Sequence, residues 1–114
     1  MAIIAGEYDF TVQRRADHTE SFSITDGNDN PVDLTGYSVA SQVWDESRST
    51  KYADFATSIT SAANGTFTLT LTRAQTETFT PNILSYDVKL QNSAGLQEYY
   101  VEGKIFVSQG YTTM

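Results

Sequence analysis

The sequence predicts an all-β domain, an antiparallel β-sandwich of about seven strands with Greek-key connections between two sheets. Several short segments alternate apolar and polar residues, which is the period of half-buried strands. These segments recur about every ten residues, with Asn, Asp, Gly and Pro between them. Residues 72–82 form a connection too long for a tight hairpin, so we expect it to carry the chain from one sheet to the other. A small closed barrel is the alternative architecture.

Two strands are predicted near the start of the chain. Residues 7–14 alternate aromatic or β-branched residues with polar ones, which indicates the first strand. After the charged turn RRADHTE, Phe22 and Ile24 alternate with Ser and Thr in a second strand that ends at Asp26. His18 falls within the turn, where we expect a solvated side chain.

Residues 26–36 are dense in Asp, Asn, Gly and Pro and predict a turn. Residues 26–33 begin like a calcium loop, with acidic or amide side chains at alternating positions. Pro31 stands where that loop requires glycine, and Tyr37 stands where it requires the bidentate glutamate. Asx turns therefore explain the composition better, and weak calcium binding stays open as the alternative.

The third and fourth strands are predicted on either side of the polar loop 46–51. Residues 37–45 alternate in a register that keeps Gln42 out of the core. Residues 52–60 form a weaker pattern, which we expect at a sheet edge. In the third strand, the residues expected to face the core are Tyr37, Val39, Ser41 and Val43.

The fifth strand and the crossover after it carry the clearest local signals. Asn64-Gly65 precedes an alternating TFTLTL run and predicts a hairpin turn. The same residues with Thr66 match a glycosylation sequon, although the turn interpretation is favoured because no signal peptide is evident. Thr72 and Gln75 have the spacing of a capping box, which predicts a short helix near residues 73–78.

Two further strands complete the predicted sandwich. Residues 84–90 alternate as a half-buried strand, and residues 92–95 predict a hairpin turn after it. Residues 96–108 form a long last strand, in which Gly103 is the position where a bend or bulge costs least. We expect Tyr99 to share the inner face of this strand and Tyr100 the outer face.

Composition limits the possible functions. The 114-residue chain has a formal net charge of −7 and seven Lys and Arg residues, which argues against nucleic-acid and anionic-membrane partners. Without cysteine it forms no disulfide and no thiolate site. We expect one domain, 1–114, with terminal arms at residues 1–6 and 109–114, made in the bacterial cytoplasm and used without export.

The residues do not predict an enzyme. His18 is the only histidine, so a histidine-activated nucleophile has a single possible base, and that base lies in a polar turn. Paired carboxylates need a cleft, which a sandwich of this size seldom forms. We therefore expect no catalytic residues, no metal site and no cofactor.

Large apolar side chains outside the predicted core point to a binding surface. In a chain otherwise rich in Thr and Ser, they are typical of contacts with other subunits, although isolated exposed aromatic residues also occur on monomers. Some lie on the outward phase of strands and the others in the terminal arms. The predicted interface residues are Ile3, Ile4, Trp44, Tyr100, Phe106 and Tyr111.

Several segments resemble small virion proteins of tailed bacteriophages. The phrases NPVDLTGY at residues 30–37 and EGKIFV at residues 102–107 carry the likeness, which extends over residues 7–110. The resemblance implies an immunoglobulin-like sandwich similar to the N-terminal domain of upper baseplate proteins. Tyr86 then stands where such a domain places a corner tyrosine, although an ordinary core tyrosine explains it equally well.

The resemblance implies a non-enzymatic virion protein, an adaptor that docks onto a symmetric, multi-copy tail, baseplate or fibre-attachment assembly. A capsid decoration or cement protein is the first alternative. The second is a carbohydrate-binding module for the host surface, with Trp44 and the tyrosines as stacking platforms. The partners expected are other virion proteins, namely tail, baseplate or capsid subunits.

Overall fold

The computed structural model describes residues 6–112, which form nine β-strands in two sheets and one short helix. The larger sheet contains β1 (Gly6–Glu7), β2 (Phe10–Gln13), β4 (Ser38–Trp44), β5 (Lys51–Asp54), β8 (Ile83–Gln91) and β9 (Gln97–Ser108). The smaller sheet contains β3 (His18–Ser23), β6 (Ala56–Ser61) and β7 (Thr66–Leu71), and the helix is α1 (Arg73–Thr76).

The two sheets pack face to face. The strand order is β1-β9-β8-β4-β5 in the larger sheet, with β2 also paired to β9, and β3-β7-β6 in the smaller sheet. The described part of the chain is therefore all-β and consistent with a sandwich, and its two separate sheets do not form the closed barrel that was the alternative.

The alternation of buried and outward-facing residues was predicted correctly for the central strands β7 and β8. Alternate residues of β7 and β8 point into one continuous core, whereas the intervening Thr, Ser and Lys side chains are half-buried on the other face. Within the smaller sheet, the rings of the cross-strand partners Phe22 and Phe67 lie in this core with their centroids 5.2 Å apart. From β7 and β8 the core residues are Phe67, Leu69, Leu71, Leu84, Tyr86, Val88 and Leu90.

The predicted helix and its capping box are confirmed. The Thr72 hydroxyl accepts the Gln75 backbone N–H at 3.2 Å, and the Gln75 side chain accepts the Thr72 N–H at 2.9 Å. This reciprocal pair satisfies two N–H groups that the first turn leaves without partners. The helix ends at Thr76, and Phe79 just beyond it is fully buried.

The first predicted strand differs from expectation in two ways. It pairs with β9 in parallel, so the larger sheet is mixed instead of purely antiparallel. It is also divided into β1 and β2, because Tyr8 and Asp9 leave the ladder opposite Gly103. There the Asp9 carboxylate accepts the Lys104 N–H at 2.8 Å and replaces a backbone acceptor.

Residues 52–60 form parts of two strands, where one was predicted. Phe55 separates β5, an edge of the larger sheet, from β6, an edge of the smaller one. The Phe55 side chain is buried at this corner, and its N–H donates to the Ser41 carbonyl at 2.9 Å. The edge position was predicted correctly, but the change of sheet was not.

The irregularity in β9 lies before the glycine at which it was expected. Val88 pairs with Val101 and Lys89 with Tyr99, so Tyr100 is the extra residue of a bulge. Gly103 has a different role, since a Cβ there would overlap the Tyr8 carbonyl oxygen and lie 2.8 Å from an Asp9 carboxylate oxygen. Glycine therefore allows the close approach of the interrupted first strand.

Tyr86 is a core tyrosine whose hydroxyl reaches a distant part of the chain. The hydroxyl donates to the Tyr8 carbonyl at 2.5 Å. A tyrosine corner would bond to a backbone group a few residues upstream, so this bond is of another kind. Burial raises the pKa of Tyr86 well above its ordinary value, which keeps the hydroxyl protonated as a donor.

Two predicted turns have the expected geometry. Gly65 adopts a φ of 67° in the β6–β7 hairpin, and a Cβ there would lie 2.6 Å from the Val32 carbonyl oxygen. In the loop after β3, the Asp26 carboxylate accepts the backbone N–H groups of Asn28 and Asn30 at 2.8 and 3.1 Å, which is an Asx-turn arrangement. No helix within residues 6–112 has the length and apolar character to cross a membrane.

Candidate functional site

The outer face of the larger sheet is the broadest candidate binding surface. It is formed by the side chains of β4, β8 and β9 that point away from the core, together with those of β1 and β5. A groove of about 540 Å³ runs over it. Because the strands are in register, these side chains form rows across the sheet, and each row has its own chemistry.

One row is acidic. Asp87 of β8 pairs directly with Glu102 of β9, and Glu102 pairs with Glu7 of β1. On the other side Asp87 pairs with Gln42, and Gln42 pairs with Asp54 of β5. Burial and then the charge of Glu102 raise the pKa of Asp87, because both disfavour its ionised form.

The rows on either side of this acidic row carry cations and aromatic rings. On one side lie Trp44, Ser85 and Lys104, and on the other lie Ala40, Lys89 and Tyr99. The outer face therefore alternates in charge along the strand direction, which favours a partner with a complementary charge pattern.

Both aromatic rings next to the acidic row already contact a cation. The Arg48 guanidinium carbon lies 4.9 Å from the centroid of the Trp44 ring, and the Lys89 ammonium lies 5.0 Å from the centroid of the Tyr99 ring. The Trp44 indole N–H donates to the Gln42 side chain at 2.9 Å. These contacts hold Trp44 half-buried against the sheet and occupy one face of each ring.

An apolar row lies beyond the row of Trp44. Ile83 of β8 and Phe106 of β9 are direct cross-strand partners on the outer face. They are 38% and 41% exposed, and as adjacent side chains they form a continuous apolar patch. Thr11 of β2 continues the row on the far side of Phe106.

An ion pair borders the groove at the row of Trp44. Lys104 Nζ lies 2.7 Å from a carboxylate oxygen of Glu46, and this hydrogen bond and charge raise the pKa of Lys104. Both side chains are about half exposed, so the pair is weak and a partner's charges can replace it at little cost.

Tyr100 does not face outward as predicted. The bulge in β9 turns it toward the core, where the centroid of its ring lies 6.2 Å from that of the Phe67 ring. Its hydroxyl donates to the Ser23 carbonyl at 3.1 Å. Burial raises its pKa. The same bulge turns Tyr99 outward, the reverse of the predicted phase, and leaves it 51% exposed.

The other predicted interface residues lie in three places. Trp44 and Phe106 are together on the outer face, in neighbouring rows. Tyr111 follows β9 and is fully exposed. Ile3 and Ile4 lie outside the described residues.

Pairing and local irregularity account for what sequence reasoning missed on this face. Ile83, Tyr99 and the acidic row were not predicted. The alternation in residues 84–90 would have placed Ile83 outward had the strand been extended by one residue. The acidic row requires the register of three strands, which no local pattern supplies.

His18 is part of β3 and does not lie in a solvated turn. Its ring stacks on that of Phe10, with centroids 5.4 Å apart, and its Nε2 lies 2.9 Å from a Glu20 carboxylate oxygen. The other oxygen of Glu20 accepts the Tyr8 hydroxyl at 3.1 Å, which raises the pKa of Tyr8. This network connects the two sheets at their open edge.

The acidic side chains do not form a cluster suited to a metal ion in the part of the chain that the structure describes. In the 26–33 loop, one carboxylate oxygen of Asp26 accepts two backbone N–H groups, as the Asx-turn interpretation predicts. No protein-family model matches the chain, and no curated protein matches it significantly.

Proposed function

We propose that this chain is a non-enzymatic structural protein of a tailed-bacteriophage virion, an adaptor that docks onto a symmetric tail, baseplate or fibre-attachment assembly. The observation that carries the proposal is the outer face of the larger sheet. An apolar row containing Ile83 and Phe106 lies there beside rows of alternating charge. Such a broad surface suits another protein better than a small substrate.

An immunoglobulin-like Greek-key type is part of this proposal. The chain crosses between the sheets four times: from β2 to β3, from β3 to β4, from β5 to β6 and from β7 to β8. The smaller sheet has the order β3-β7-β6, and the first strand lies parallel to the last one in the larger sheet. This connectivity supports the likeness that residues 30–37 and 102–107 suggested.

The contacts of His18 support a non-enzymatic role. Its Nε2 is bonded to Glu20, and its ring is stacked on Phe10, so it acts as a structural side chain between the sheets. A base that serves a nucleophile needs one nitrogen directed at that nucleophile.

Purified particles test the proposal. Particles from the strain that carries the gene are separated on a density gradient and digested with trypsin, and peptides from this chain are sought by mass spectrometry. We expect them to co-purify with the particles, and cryo-electron microscopy of a C-terminally tagged copy should place them on the tail. Particles that lack the chain would overturn the proposal, and several hundred copies on the head would favour the cement alternative.

The docking surface is tested by a double variant. Ile83→Ser with Phe106→Ser should lower the thermal unfolding midpoint but leave the domain folded, because both side chains lie on the outer face and not in the core, and should reduce incorporation into particles at least tenfold. The matched control is Leu96→Ser, since Leu96 is 67% exposed but follows the β8–β9 turn away from these rows. Full incorporation of the double variant would exclude this face as the contact.

Carbohydrate binding is the second candidate, favoured by the position of Trp44 and Tyr99 along a groove that also contains Asp87 and Glu102. Sugars stack on aromatic faces and bond to carboxylates. Titration with host-surface glycans should change the Trp44 fluorescence if this is the function. An unchanged spectrum at millimolar glycan would exclude it.

A further inference from the structure

Three carboxylates of the acidic row form no ion pair within residues 6–112. Glu7, Glu102 and Asp87 lie side by side on β1, β9 and β8, and none of the ion pairs in this part of the chain includes them. Because neighbouring strands are about 4.8 Å apart, three negative charges lie within about 10 Å. Like charges directly opposite each other destabilise a sheet. The isolated domain therefore has an uncompensated negative strip across three strands of its broadest face.

The three cations that line the groove already have partners in the chain. The Lys104 ammonium is paired with Glu46, and the charged groups of Lys89 and Arg48 each lie over an aromatic ring. Burial and the neighbouring carboxylate raise the pKa of Asp87 and outweigh the opposing charges of Lys89 and Arg48. A partner that brings cations therefore gains more from this face than a partner that brings anions.

The acidic row and the apolar row are too far apart for a single element of a partner to cover both. Asp87 is four residues from Ile83 along β8, and Glu102 is four residues from Phe106 along β9. Four residues of a strand span about 13 Å. A helix is only about 10–12 Å in diameter, so one that lies along the acidic row does not cover the apolar row as well. The occupant that fits both rows is a folded protein surface and not one short peptide.

We propose that the outer face of the larger sheet docks onto a folded protein that presents a strip of Lys or Arg side chains to Glu7, Glu102 and Asp87, and an apolar strip to Ile83 and Phe106. The basic strip needs a cation about every 5 Å, which successive turns of a helix or neighbouring strands of a sheet supply. This inference rests on the proposed function, because it names the chemistry of the surface onto which the chain docks.

Charge favours such a partner over a second copy of this chain. A second copy would add another net charge of −7, and the cations on its outer face already have partners. A basic partner instead replaces the repulsion among the three carboxylates with attraction, so the charges that destabilise the free domain stabilise the complex.

Two isosteric substitutions separate docking from stability. Asp87→Asn with Glu102→Gln removes two adjacent charges of the row, so we expect Tm at pH 7 to rise. Binding of the purified full chain to particles from a strain that lacks the gene, measured by co-sedimentation, should fall at least about tenfold. Asp29→Asn with Glu77→Gln is the matched control, because it changes the net charge equally at residues that do not line the groove. This control should bind as the parent does.

The dependence on salt gives a second measurement. Binding of the parent should weaken at least about tenfold between about 50 and 300 mM salt, and binding of the Asp87 and Glu102 double variant should change much less. If the parent binds the particles and the double variant binds equally well at both salt concentrations, the inference is wrong and the proposed function stands. A parent that does not bind the particles at all would overturn both. A dimer that dissociates on substitution of Asp87 and Glu102 would show that a second copy covers this face, and would also overturn the inference.

Discussion

The hydroxyl of Tyr86 donates a hydrogen bond to the carbonyl oxygen of Tyr8, and this bond joins β8 to the point where the first strand is interrupted. Gly103 lies opposite Tyr86 on β9 and leaves the space that the Tyr8 carbonyl enters. The position of the Tyr8 carbonyl oxygen thus depends on two features: the hydroxyl donor from β8 and the absence of a side chain at Gly103 on β9.

Removal of the hydroxyl should destabilise the domain. We expect Tyr86→Phe to lower the free energy of unfolding by about 1–2 kcal/mol, because it leaves the Tyr8 carbonyl without this donor in a largely buried site. Urea denaturation followed by tryptophan fluorescence measures the change. Tyr111→Phe is the matched control, since Tyr111 is fully exposed and its variant should differ from the parent by less than about 0.5 kcal/mol. Equal effects of the two substitutions would show that the bond adds nothing.

A methyl group at position 103 should displace the Tyr8 carbonyl and so weaken its hydrogen bond with the Tyr86 hydroxyl. A Cβ there would overlap the Tyr8 carbonyl, so Gly103→Ala must push the first strand away from β9. We expect a loss of about 1–3 kcal/mol in the free energy of unfolding. Gly6→Ala is the control, because a Cβ at Gly6 would meet no atom within 4 Å. Hydrogen exchange should show faster opening around β2 in the Gly103 variant, and an unchanged exchange pattern would contradict this account.

The core of the sandwich should respond to cavity formation. Leu69 is fully buried on β7, and we expect Leu69→Ala to cost about 2–4 kcal/mol in the free energy of unfolding. Leu96→Ala removes the same atoms from a side chain that is 67% exposed and should cost much less. Chemical denaturation of the two variants measures the difference, and similar values would mean that the inner and outer strand faces are misassigned.

Two carboxylates should contribute to stability with opposite dependence on pH. Burial and Glu102 raise the pKa of Asp87 above 3.8, so its ionised form weakens the folded state at neutral pH and protonation relieves that cost. Asp87→Asn should therefore raise Tm at pH 7. The gain should shrink as the pH falls through the raised pKa and should be lost below about pH 3.8, where the unfolded carboxyl is also protonated.

Asp45 provides the control of opposite sign. Hydrogen bonds led by the Ser49 hydroxyl lower its pKa below 3.8, so its contribution is present above that pH and is lost as the pH falls through the lowered pKa. Asp45→Ala should lower Tm at pH 7, with a difference that vanishes in acid. Calorimetric scans from pH 2 to pH 7 measure both variants, and parallel curves with the parent would refute the assignments.

Alternation predicted which strands exist and, for most of them, which side chains face the core. Phe67 and Leu84 are buried as expected, and Trp44 and Phe106 lie outside the core. Period two carries no information on strand partners, so the parallel pairing of the first strand was not predictable from it. A single extra residue reverses the faces, which is why Tyr100 was misplaced.

The change of sheet at Phe55 was also missed for a physical reason. Phe55 continues the alternation with Thr57 and Ile59, and no glycine or proline marks the corner, so the pattern of residues 52–60 predicts one strand. The acidic row is a property of register, since Asp87, Glu102 and Glu7 are far apart in sequence and meet only when β8, β9 and β1 align.

The parallel pair of β2 and β9 also determines how the domain bears tension. The ladder between the two strands runs from the pair Phe10 and Ile105 to the pair Gln13 and Ser108. β2 begins at the first end of this ladder, and β9 ends at the other. A force that pulls the two ends apart loads these hydrogen bonds in shear, so they must rupture together and cannot unzip one after another. The mechanical lifetime of the domain then follows its unfolding rate under load, and β2 acts as a clamp on the whole sandwich.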